Sequence, residues 1–122
     1  MTGTVFARIL KKAVDATPHA IGGAFADRDG EMVDSFATID THDWAVLTAH
    51  YGIILAQLDA AFGTWHFGGP EYFVAQHEQI EIVVHAVEGG YYALLALRGG
   101  GQLAVAIEVL RAAACELRKE MR

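Results

Sequence analysis

Apolar residues recur along this chain at two spacings, and the alternation between them lays out eight elements. Phe6, Ile9, Leu10 and Ala13 fall at helical spacing with Arg8, Lys11, Lys12 and Asp15 between them, which predicts a helix over Thr4 to Ala16. Pro18 ends it, because the residue before a proline is pushed out of the α region. Strands are expected at His19 to Ala26 and Glu31 to Ile39, around an Asp27-Arg28-Asp29-Gly30 turn in which Gly30 supplies a positive φ. Gly22 and Gly23 are poor strand formers and signal a close approach by a helix or another backbone.

Asp40 or Thr41 caps a second helix that runs to about Phe62, with Asp43 in its first turn. Trp44, Leu47, Tyr51, Ile54, Leu58 and Phe62 form one stripe, while Val46, Ala49, Ile53, Ala56 and Ala60 form a second on another side. One face can pack on a sheet and the other needs a cover. Gly63, Gly68, Gly69 and Pro70 mark a loop around Trp65-His66-Phe67. Three strands follow, at Tyr72 to His77, Gln79 to Val87 and Tyr91 to Arg98. After Gly99-Gly100-Gly101, a third helix carries Leu103, Ile107, Leu110, Ala114, Leu117 and Met121 on one face. The expected fold is α+β, a single domain over residues 1–122 in the order α-β-β-α-β-β-β-α, with an antiparallel sheet covered by helices.

Composition sharpens this picture. Hydrophobic residues make up 53% of 122 positions, and mean hydropathy is +0.27. A small domain this apolar either hides an unusual share of its side chains or keeps part of its surface for a partner. The formal net charge of −6 argues against nucleic acid, which needs a basic patch. No basic amphipathic stretch suggests an anionic membrane, and no apolar run approaches the roughly 20 residues that span a bilayer. The single Cys115 forms no internal disulfide, and MTGTVFARILKK does not read as a signal peptide, so a cytoplasmic protein is expected.

Candidate chemistry is thin. Gly99-Gly100-Gly101 precedes a helix, but Gln102-Leu103 stands where a phosphate-binding loop needs Lys-Ser/Thr. Asp27-Arg28-Asp29-Gly30 matches a GTPase D-x-x-G by letter and is a turn. The six histidines, His19, His42, His50, His66, His77 and His85, show no metal-ligand spacing. Ser35 has no nucleophile-elbow setting, and Cys115 among alanines reads as a small buried thiol. The expectation is a non-enzyme with no catalytic, cofactor or metal residue. What stands out is the two-sided apolar second helix, which predicts a self-association or partner interface through that helix. Tyr72-Phe73-Val74 on a candidate edge strand is its natural companion. The nominated interface residues are Tyr51, Ile54, Leu55, Leu58, Phe62, Tyr72 and Val74.

The element order, with Ile21-Gly22-Gly23-Ala24-Phe25-Ala26-Asp27-Arg28-Asp29-Gly30 early and Gly89-Gly90-Tyr91-Tyr92-Ala93-Leu94-Leu95-Ala96-Leu97 late, resembles the Roadblock family, named for dynein light chains. The resemblance runs from about His19 to Met121. It implies a five-stranded sheet with helix two on one face and helices one and three on the other. It also implies a homodimer that pairs helix two and strand three across a two-fold axis. Bacterial single-domain members of that family are partners or regulators of Ras-like small GTPases, some of them activating, and eukaryotic members are motor light chains or scaffolds. Many members open the last helix with Asn and Gly where this chain has Gln102 and Ala104. The resemblance transfers no catalytic residue, and Arg28 and Arg98 are not nominated as arginine fingers. Two alternatives stand beside GTPase regulation: an adaptor without effect on GTP turnover, and a small-molecule sensor using Trp65-His66-Phe67.

Overall fold

In the computed structural model, which describes residues 4–63, 68–100 and 102–121, the eight elements follow the expected order. They are α1 (Val5–Asp15), β1 (Ala20–Ala26), β2 (Met32–Ala37), α2 (Thr41–Phe62), β3 (Tyr72–Gln76), β4 (Ile80–Ala86), β5 (Tyr92–Arg98) and α3 (Leu103–Glu120). Side chains that satisfy otherwise unpaired backbone amides fix the helix starts. Thr4 Oγ1 accepts from the Ala7 amide at 3.2 Å to begin α1, and Asp40 Oδ2 accepts from the Asp43 amide at 3.0 Å to begin α2. The Asp27–Gly30 turn forms as expected. Asp27 Oδ1 accepts from the Asp29 and Glu31 amides, and Gly30 takes φ +84°.

The five strands form one antiparallel sheet in the order β2-β1-β5-β4-β3. β5 is central and reads as an unbroken apolar run because both of its faces are covered. Its Ala93, Leu95 and Leu97 meet α1 and α3, joined by Leu10, Val14, Phe25, Val83, Leu110 and Leu117. Its Tyr92, Leu94 and Ala96 meet α2, with Trp44, Tyr51, Leu55, Ile82 and Val84. Helix two therefore covers one face alone, and helices one and three share the other.

The glycine pair in β1 reports both approaches. A Cβ on Gly22 would lie 2.9 Å from Ala37 Cβ and 3.0 Å from Trp44 Cζ2, beneath α2, whereas one on Gly23 would lie 3.4 Å from Val14 Cγ2, beneath α1. Two expectations need correction. Cys115 is exposed rather than buried: Leu110, Ala113, Ala114 and Leu117 take the inward side of α3, which turns residue 115 outward. The 22 residues of α2 are also long and apolar enough to cross a membrane by length and composition. Here α2 instead lies on the sheet through Trp44, Thr48, Tyr51 and Leu55.

Candidate partner interface

The seating of α2 decides what it leaves exposed. Trp44 donates its indole N–H to the Gly23 carbonyl at 3.3 Å. Tyr92 Oη donates to the Thr48 carbonyl at 2.8 Å. Gly52 lies against the Tyr92 ring so closely that a Cβ there would fall 2.4 Å from Oη. Burial, followed by the nearby Asp27 charge, pushes the Tyr92 phenol up to about 12. These contacts set the helix rotation. Trp44, Thr48, Tyr51, Gly52 and Leu55 turn inward, and Val46 (42% exposed), Ile53 (57%), Ile54 (39%) and Phe62 (46%) remain in solvent. Val46, Ile53 and Ile54 share the outward part of the helix, while Phe62, about five turns after Trp44, continues the inward stripe beyond the buried part of α2. Exposed apolar side chains of this kind are what a partner surface looks like before it is covered.

The seven nominated residues are not all on that surface. Tyr51 and Leu55 are buried against this chain's own sheet. Ile54 and Phe62 are exposed, and Leu58 is half-buried on the flank nearer β3. Tyr72 and Val74 lie on β3, which is an edge of the sheet and pairs only with β4. Val74 packs toward α1 and α3. The Tyr72 ring lies flat on His85, with centroids 6.0 Å apart and planes 12° apart, and the Arg111 guanidinium sits 5.7 Å from its centre. His85 is buried and directs Nδ1 to the Ala86 carbonyl.

Between α2 and the β3–β4 turn lies an open groove of about 570 Å³, lined by apolar Val46, Leu47 and Ile54 and by His42, His50 and His77. Tyr51 and His77 hydrogen-bond at its base, and burial raises the Tyr51 phenol above its ordinary value. Val46 and Ile53 were not among the nominated residues, although they belong to the second apolar stripe. The signal that could have found them is the small side chains Thr48 and Gly52. Those positions allow close packing, so they mark the inward side and place Val46 and Ile53 opposite it. Among the described residues no three His, Cys, Asp or Glu side chains gather to hold a metal. Trp65, His66 and Phe67, expected to contact a small molecule, lie outside the described residues.

No protein-family model matches the chain, and no curated protein matches it in sequence. Solved structures do match it in three dimensions. A Roadblock/LC7 domain from Streptomyces avermitilis superposes with a TM-score of 0.84 at 13% identity, over 93% of this chain and 95% of that one. MglB from Myxococcus xanthus gives 0.86 at 12% identity, over 99% and 98%. An MglB in a tetrameric arrangement gives 0.84 at 14% identity, over 98% and 92%. Likeness over nearly the whole of each chain at such low identity is a shared architecture, and by it this chain has the Roadblock/LC7 fold.

Proposed function

We propose that this chain is a non-enzymatic, self-associating partner or regulator of a Ras-like small GTPase, working in the cytoplasm. The observation that carries the reading is the exposed apolar side of α2, which continues past Ile54 and Leu58 toward the free edge of β3. A second copy supplies the same elements across a two-fold axis, and such a contact satisfies an edge strand and an apolar flank together. Self-association also agrees with the tetrameric arrangement of the structurally similar MglB. The GTPase partner rests on the resemblance to bacterial Roadblock proteins, and the location on the single cysteine. Regulation would be conformational: a dimer that binds one arrangement of the GTPase switch loops more tightly shifts the population toward it.

Sedimentation of the purified protein over a concentration series is the first test, and a dimer is expected. Leu58→Asp or the better exposed Ile54→Asp should yield a monomer, because either places an uncompensated charge in the contact. A single copy at every concentration removes the reading. The second test follows GTP hydrolysis and nucleotide exchange on candidate Ras-like small GTPases with the purified protein added. A changed rate supports regulation, and stable binding with both rates unaltered supports an adaptor.

A further inference from the structure

An unfilled groove and an uncovered aromatic ring stand at opposite ends of α2. The groove lies against the first half of the helix, where Val46, Leu47 and Ile54 give it an apolar lining and His77 closes it from the β3–β4 turn. Its volume of about 570 Å³ is ample for a phenyl ring. The ring is that of Phe62, the last residue of the helix. It continues the inward stripe past Leu55, the last buried position of α2, and is 46% exposed. Among the described residues it packs against neither core cluster. An apolar ring left in water at one end of a helix and an apolar hollow at the other are a knob and a hole on the same chain.

We propose that the groove receives Phe62 of a second copy, with the two α2 helices antiparallel about an axis through Ile54. The proposal rests on the self-association reading and adds its register and the residue the partner contributes. A two-fold axis perpendicular to α2 exchanges the ends of the helix, so each Phe62 meets the other copy's groove and both contacts close together. Leu47, Ile54, Leu58 and Ala61 follow one another at spacings of seven, four and three and share one flank. Leu47 and Ala61 each stand seven positions from Ile54, about 10 Å along the helix. The axis therefore sets Leu47 against the partner's Ala61, whose small side chain lets the helices draw near, and Ile54 against itself. Charge selects the same arrangement. Asp43 lines the groove eleven positions from Ile54, so the two Asp43 carboxylates lie about 33 Å apart. An axis parallel to α2 would bring them together, with ring beside ring and groove beside groove. Opposed helices also place the positive end of one dipole beside the negative end of the other.

Paired cysteines read the register directly, in intact protein carrying Cys115→Ser so that the exposed native thiol does not interfere. Leu47→Cys in one preparation and Ala61→Cys in another should cross-link on mixing and mild oxidation, because a disulfide needs Cα atoms within about 7 Å. Either variant alone should give at least about fivefold less covalent dimer on a non-reducing gel, since identical positions then lie about 20 Å apart. Ile54→Cys alone should cross-link to itself. Phe62→Ala should weaken the dimer by about tenfold or more in sedimentation, while amide chemical shifts outside α2 stay in place, because the ring belongs to neither core. Val33→Ala, which trims an exposed side chain of β2 at the other edge of the sheet, should leave dissociation within about twofold. A persisting dimer without the mixed cross-link overturns the proposal. So does equally strong self-cross-linking of Leu47→Cys, or a Phe62→Ala dimer within about twofold of the parent. Those three results leave self-association standing, whereas a parent protein that sediments as a monomer at every concentration sinks both.

Discussion

Gly52 and Tyr92 form the tightest fit between α2 and the sheet, and both residues make it testable. Gly52→Ala would push a methyl into the phenol, so chemical denaturation should show a loss of about 1–3 kcal/mol, more than any gain from alanine's helix propensity. Tyr92 also gives the fold an alkaline limit. Its phenol goes from 10.0 to about 12 on folding, so the neutral form is favoured in the native state. That contribution is complete below the unfolded value near pH 10 and is lost as pH rises through the folded value. Urea midpoints measured at rising pH should decline over that window, and Tyr92→Phe should flatten this part of the decline while costing about 1 kcal/mol through the lost hydrogen bond to Thr48. The sequence hid this pairing because Gly52 and Tyr92 meet only in the folded chain. The Gly22–Gly23 signal was legible because two adjacent glycines weaken an apolar strand unless a neighbour packs close enough to need the space.

At the scale of the element, α2 shows where periodicity is sufficient and where it fails. Its bounds and its N-cap follow from Asp40, Asp43 and the loop glycines. Its rotation does not, since apolar residues surround it and no single stripe dominates. The inward side is set by Trp44, Thr48, Gly52 and Leu55, two of which are small or polar and carry no weight in a hydrophobicity pattern. That is why Tyr51 and Leu55 lie inside while Val46 and Ile53 lie outside. Trp44→Ala should therefore be severe, about 3–5 kcal/mol by thermal or urea unfolding, because it opens a cavity above Gly22 and strands the Gly23 carbonyl. Ile53→Ser, by contrast, should change monomer stability by no more than about 0.5 kcal/mol, as expected of an outward residue. A large loss there would mean that the helix is rotated from the orientation described.

For the whole molecule, element order and layering were readable because the strands and helices differ in period and the Asp27–Gly30 and Glu88–Gly90 turns carry glycine. The pairing of β1 with β5 is less so, since it joins segments about seventy residues apart, and nothing local announces it. Raising the salt concentration should leave monomer stability nearly unchanged, and the proposed self-association through α2 should hold, because burial of apolar surface is not screened by salt. Sedimentation at two ionic strengths measures this, and dissociation by salt would instead indicate an interface held by ion pairs.

The position of β5 at the middle of the sheet also bears on how the chain emerges from the ribosome. Its neighbours, β1 made early and β4 made just before it, do not pair with each other and are joined only when residues 92–98 slot between them. Two hairpins must wait, each with an open inner rim, until residues 92–98 have been synthesised. Late closure of distant segments is slow and leaves those rims open to wrong neighbours. A nascent chain stalled before Tyr92 should therefore remain sensitive to protease, and one released just past Arg98 should begin to resist it.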